Sequence, residues 1–167
     1  MAGVTPFQTV GPFLTLGLRS GVDIAAPADH ERAITITGRL LDGAGQGVPD
    51  GVLELWQPEV GHVQRALTRE DGTFVAHTIK PEPSPGPDGL VQAPYIVVRV
   101  LGRGILTEYL TRFYFADELL TAADPVLQLV PENRRSTLIA APIAAGTYRL
   151  DVVLQGENET VFFEVAP

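Results

Sequence analysis

The stretch "AITITGRLLDGAGQGVPDGVLELWQ", residues 33–57, decides the fold class. Its first ten residues alternate apolar and polar side chains and then break at Asp42 and Gly43, which is the two-residue period of a half-buried strand. The turn "GAGQGVPD" follows, rich in glycine and closed by proline and aspartate, residue types that reverse a chain. "GVLELWQ" then puts Leu53 and Leu55 on one face and Glu54 and Trp56 on the other. This is strand–turn–strand.

The same grammar runs outward. "GTFVAHTI" (72–79) is introduced by the turn pair Asp71–Gly72. "KPEPSPGPDG" (80–89) holds too much proline for a central strand or a helix. "QAPYIVVRVLGRGILTEYLTRFYF" (92–115) predicts a hairpin with strands over about 95–101 and 105–115 and Arg103 between two glycines at its tip. "TYRLDVVLQ" and "TVFFEV", joined by "GENE", give a second hairpin signal. Between these lie two helix-start signals: Asp117 ahead of Leu119 and Leu120, and Asp124–Pro125 ahead of "VLQLV". They predict two short helical turns. About seven strands with regular turns and little helix point to an all-β chain, a two-sheet antiparallel β-sandwich. The expected organisation is an irregular N-terminal arm over 1–32 that packs on a partner, and one β domain over 33–167.

Composition removes several function classes. At 167 residues and 45% hydrophobic content the chain can bury a real core. The formal net charge of −8 repels phosphate backbones and anionic lipid surfaces, so nucleic-acid and membrane partners are excluded. Without cysteine there are no disulfides, thiolate metal sites or cysteine nucleophiles. The N-terminus lacks a basic region, Pro6 and Pro12 interrupt its apolar stretch, and no apolar run approaches the roughly 20 residues of a membrane span. The expectation is a soluble, cytoplasmic protein.

Local chemistry is sparse. His30, His62 and His77 are never two or four residues apart; His77 falls in a strand and the other two in expected loops. Tyr95, Tyr109, Tyr114 and Tyr148 are each capable in principle of ligating ferric iron, but packing with a hydrogen-bonded hydroxyl is the commoner use of each. Asp50, Asp71, Asp88 and Asp151 fit turns or exposed positions. No G-x-S-x-G, phosphate loop, dinucleotide fingerprint or H-E-x-x-H occurs. Two features stand out. "TPFQTVGPF" (5–13) offers the Thr9 hydroxyl, the open backbone of Gly11 and the fixed direction of Pro12, and an ordinary terminal arm would read the same way. Arg103 in "GRG" is a permanent charge able to grip a carboxylate through two parallel hydrogen bonds, and a solvated hairpin tip would also carry it.

Taken together, "TPFQTVGPF", "ITITGRLLDGAGQGVPDGVLELWQP", "DGTFVAHTIKPEP", "APYIVVRVLGRGI", "TRFYFADE" and "GENETVFFEV" resemble the intradiol ring-cleavage dioxygenase family over nearly the whole chain. "RGI", "TRFYFADE" and "GENETVFFEV" are the most specific pieces. The resemblance implies a β-sandwich and chemistry on ferric iron, Fe(III), held by two tyrosines and two histidines. The ligand positions depart from that pattern. Where the family places its paired histidines, this chain has Tyr95 and Val97. "QPEVGHVQRALTRE" after Trp56 lacks tyrosine, and so does the proline-rich stretch before Gln92. More narrowly, then, the chain resembles the iron-free alpha-type subunit of the family's heteromeric members.

That resemblance implies no catalytic residue and no metal ligand on this chain, with Fe(III) in a partner beta subunit. It implies an active site at the subunit interface, cleaving the small aromatic acid 3,4-dihydroxybenzoate with dioxygen to 3-carboxy-cis,cis-muconate. Carried over residue by residue, the substrate-binding contributions are Thr9, Gly11, Pro12 and Arg103. Phe13 stands where the family's arm often has tyrosine. From the residues alone two other readings stay open: a non-enzymatic β-sandwich binding or scaffold module, and a self-sufficient metalloenzyme.

Overall fold

The computed structural model describes residues 8–11, 13, 29–57, 62–86 and 89–164. Of the expected arm over 1–32 this includes only 8–11, 13 and 29–32, so Pro12 lies outside the described residues.

The chain is mostly strand. In order these are β1 (Ala33–Leu41), β2 (Val52–Gln57), β3 (His62–Leu67), β4 (Thr73–Ile79), the short β5 (Ser84–Pro85) and β6 (Val91–Gln92), β7 (Tyr95–Leu101), β8 (Tyr109–Phe115), β9 (Ile139–Ala144), β10 (Thr147–Arg149) and β11 (Val152–Val153). The alternation read in β1 is real: Ile34, Ile36 and Leu40 face the core. On β7, Ile96, Val98 and Val100 do the same. These meet Leu53, Leu55, Phe74, Phe113 and Phe115 in one main cluster, and burying each such side chain stabilises the fold by about 1.5–3 kcal/mol. Gly38 in β1 is obligatory for this packing. A Cβ there would lie 1.9 Å from the Leu150 carbonyl oxygen, where β1 and the β10 segment come together.

The expected pair of separate antiparallel sheets is not what hydrogen bonding produces. The ladders run β11-β1-β10-β9-β8-β7-β2-β3 as one continuous path, with β4 added to the β1 edge. The join is β9. Its start pairs in parallel with β8 (Tyr114 opposite Ile139, Phe115 opposite Ala140), and its end pairs antiparallel with β10. A strand that changes neighbours midway fuses two groups of strands into a nearly closed, barrel-like sheet. β10 and β11 also pair in parallel with β1, so the ladder is mixed.

Five local expectations are corrected. His62 opens β3 and is not in a loop; this strand was hidden because Arg65 and Gln64 break the apolar pattern. Arg65 is admitted to the sheet because Glu54, opposite it on β2, accepts hydrogen bonds from its Nε and Nη2 at 2.9 and 2.6 Å. The second strand of the β7–β8 hairpin starts at Tyr109 and not at 105, leaving a longer loop over 102–108. "TVFFEV" does not pair as a strand of a second hairpin. The Val153 N–H donates to the Thr160 hydroxyl, which ends the ladder, and Phe163 bridges to Leu110 of β8. Helical turns number three among the described residues, at Thr121–Ala123, Leu127–Leu129 and Glu132–Leu138. Asp124 caps the second as expected, accepting from the N–H groups of Val126 and Leu127 at 3.0 and 2.8 Å. Asp117 caps nothing: its carboxylate binds Lys80 and the Tyr148 hydroxyl.

No helix among the described residues is long and apolar enough to cross a membrane.

Candidate functional site

The loop between β7 and β8 carries Arg103, and the fold brings the arm to it. Gly104 reverses the chain with a positive φ of 87°, a conformation glycine adopts without steric cost. Its N–H donates to the Thr9 hydroxyl oxygen at 2.8 Å. The Thr9 hydroxyl is in turn within reach of two carbonyls, its neighbour Val10 at 3.3 Å and Gly102 at 3.5 Å. Residues more than 90 positions apart in sequence are thereby latched together, so two features read separately from the sequence form one corner.

Gly11 lies two residues beyond the latch, exposed, with nothing within 4 Å of where a Cβ would stand. Among the described residues, therefore, no contact requires glycine there. Phe13 projects with 75% of its surface exposed. A recess of about 430 Å³ opens between arm and hairpin, lined among others by Gln8, Val10, Gly102, Ile105 and Leu106. It shares Thr107 and Glu108 with a recess of about 690 Å³ that reaches Tyr109, Phe162 and Glu164.

Arg103 itself is 57% exposed and makes one ionic contact among the described residues, from Nη2 to Asp50 Oδ2 at 3.1 Å. Sequence reasoning assigned Asp50 only to a turn. The available signal was its position between Pro49 and Gly51, where an acidic residue with positive φ (57°) is a turn device whose side chain is aimed by the backbone.

The donor set near β7 does not fit the iron that the resemblance implies. Among the described residues, no three His, Cys, Asp or Glu side chains converge. Tyr95 opens β7, and the Arg112 guanidinium lies over its ring at 4.0 Å. Arg112 is also bonded through Nη1 to Gln92 Oε1 at 2.8 Å. A fixed cation thus occupies the neighbourhood of Tyr95 and repels a metal ion. Tyr114 is buried and donates its hydroxyl to Asp124 at 2.9 Å. Burial pushes the Tyr114 phenol up from its ordinary value, against the opposing effect of Arg112, so the phenolate form is disfavoured. Tyr148 is likewise raised by burial, and its hydroxyl is engaged by Lys80 and Asp117. His77 lies on β4, where its Nδ1 and the Thr35 hydroxyl are 3.2 Å apart.

Comparison with known proteins places this arrangement. The fold is that of the intradiol ring-cleavage dioxygenases. The dioxygenase domain of a carbohydrate-binding fusion protein from Streptomyces sp. SirexAA-E superposes with a TM-score of 0.62 at 21% identity, covering 79% of this chain and 85% of that one. An intradiol ring-cleavage dioxygenase from Tetranychus urticae gives 0.58 at 15% identity, covering 75% and 83%.

Sequence narrows the class. The protocatechuate 3,4-dioxygenase alpha chain of Burkholderia cepacia is 40% identical, covering 96% of this chain and 97% of its own length. That of Pseudomonas putida is 34% identical, covering 96% of each. The beta chain from Burkholderia cepacia is 26% identical, covering 84% of this chain and 77% of its own. The chain belongs to the protocatechuate 3,4-dioxygenase alpha-chain family. A scan against protein-family models finds no match.

Proposed function

We propose that this chain is the iron-free alpha subunit of a cytoplasmic protocatechuate 3,4-dioxygenase. In this reading it completes an active site whose Fe(III) is held by the beta subunit of a hetero-oligomer. The reaction is intradiol cleavage of 3,4-dihydroxybenzoate by dioxygen to 3-carboxy-cis,cis-muconate. The reading is supported by near full-length likeness to alpha chains, and by the weaker likeness to a beta chain that a second, diverged copy of the fold would give. The single structural observation that carries the division of labour is the latch from Thr9 to Gly104, which sets the arm beside Arg103.

The roles follow from chemistry. The substrate's ring carboxylate is an anion that needs a cationic or hydrogen-bonding partner once it leaves water. Arg103 supplies that charge, with donors of its planar fork still directed outward. Thr9 holds the loop that carries Arg103. Gly11 and Pro12 form a wall at which the aromatic ring can approach the backbone closely, and the remainder of the 1–32 arm packs on the beta chain. The chain orients substrate and supplies no ligand and no proton donor, so its contribution is to positioning.

The test is reconstitution. The purified chain alone is expected to contain no stoichiometric iron and to consume no oxygen with 3,4-dihydroxybenzoate. Co-expressed with a beta chain, it should give a complex with substrate-dependent oxygen uptake. In that complex Arg103→Ala should raise KM for 3,4-dihydroxybenzoate about ten-fold, with a much smaller effect on catechol, which lacks the carboxylate. Iron bound tightly by the lone chain, or ring cleavage by it unaided, would overturn the reading.

A further inference from the structure

We infer that Asp50 is the built-in counter-anion of the substrate-facing arginine: it holds the Arg103 guanidinium while the site is empty and competes with the incoming carboxylate for it. The inference rests on the proposed role of Arg103 and adds a residue to which no role has been given.

Four observations carry it. Asp50 is set by the backbone, not by a flexible side chain. It stands at positive φ in the turn before β2, and the next residue is pinned to Thr68 twice: the Gly51 N–H donates to Thr68 Oγ1 at 2.7 Å, and the Thr68 N–H donates to the Gly51 carbonyl at 2.9 Å. The contact is a single hydrogen bond, Nη2 to Oδ2 at 3.1 Å, and not the parallel pair a guanidinium makes when it is fully committed to a carboxylate. Both partners are open to water, at 57% and 38% exposure, so exchange of one carboxylate for another needs no unfolding. Among the described residues, moreover, neither group has another ionic partner. An arginine held this way keeps its direction without being neutralised in a closed cluster. An exposed pair of this kind is weak, so substrate can displace it and its removal shifts KM by a few-fold.

The experiment uses the assembled alpha–beta enzyme and four versions of this chain: unchanged, Asp50→Asn, Arg103→Ala and the double variant. Asparagine tolerates positive φ, so the turn is kept while the charge goes. The expected result is that Asp50→Asn lowers KM for 3,4-dihydroxybenzoate about two- to five-fold, leaves kcat nearly unchanged, and does not alter KM for catechol. In the Arg103→Ala background Asp50→Asn should have no effect, since the competitor has nothing left to compete for. An unchanged or raised KM for the acid in Asp50→Asn, in an enzyme where Arg103→Ala does raise it, overturns this inference and leaves the role of Arg103 standing. An enzyme in which Arg103→Ala itself changes nothing overturns both. A drop in KM for catechol equal to that for the acid also overturns it, because the effect would then not act through the carboxylate.

Discussion

Two arginines of the same hairpin meet opposite fates. Arg112, on β8, lies over the Tyr95 ring at 4.0 Å, donates to Gln92 at 2.8 Å, and has the Tyr114 hydroxyl at 3.4 Å. That hydroxyl passes the network on to Asp124, which is wholly buried and also accepts from the N–H of Ala93 at 2.9 Å. Arg103, nine residues earlier, makes one bond among the described residues, to the half-buried Asp50, and is 57% exposed. The first cluster is closed: its groups satisfy one another and no ligand can enter without leaving a buried charge unpaired. The second is open, and an external carboxylate can join it at little cost. Charge alone does not mark a binding residue; unused hydrogen-bonding capacity at an accessible position does.

The comparison can be broken at its closed end first. Asp124→Ala removes the acceptor for the Tyr114 hydroxyl and three backbone N–H groups at once. The expected loss is about 3–5 kcal/mol, measured by urea unfolding followed at Trp56, the chain's single tryptophan. A loss below about 1 kcal/mol would mean the network is not closed. At the open end the effects fall on binding. Thr9→Val deletes the acceptor of the Gly104 N–H but leaves arm and loop exposed. Stability should move little, while KM for 3,4-dihydroxybenzoate in the assembled enzyme rises about three-fold. Equal effects on the acid and on catechol would show that the latch shapes the wall and not the Arg103 loop.

The smallest effect is in pH. Burial raises the Asp117 carboxyl, but hydrogen bonds from Tyr148 and Lys80 outweigh this and hold it below the usual carboxylate range. A depressed folded-state pKa contributes stability above the unfolded value of about 3.9, lost as pH falls through the folded value. At the other end, burial lowers the Lys80 amine, yet Glu118, Tyr148 and Asp117 together raise it above its ordinary value. Its contribution is complete below about pH 10 and is lost on further rise. Thermal midpoints should therefore be flat with respect to this cluster between about pH 5 and 9 and fall outside it. In Lys80→Met the alkaline fall should shrink.

What could be read in the chain and what could not divides along the same physical line. β1, β4 and β7 were legible because each buries one face, and a buried face writes its period directly into the residue order. β3 was not, since Arg65 looks like a loop residue until Glu54 is placed opposite it. Nor was β9: Pro142 argues against a strand, and it is accommodated opposite Tyr148 beside a register shift between Thr147 and Tyr148. Because β9 is the strand that fuses the two groups, missing it also meant expecting two separate sheets.

Amino-acid order by itself determined the β class, the acidic and cysteine-free character, and the candidacy of Thr9 and Arg103. Those are properties of single residues or of short periods. Only the tertiary structure decided that Thr9 meets Gly104, that Arg103 bonds to Asp50, and that Arg112 lies over Tyr95. Each of these joins groups from different segments through the meeting of turns and strands, and contact between distant segments has no period to be read.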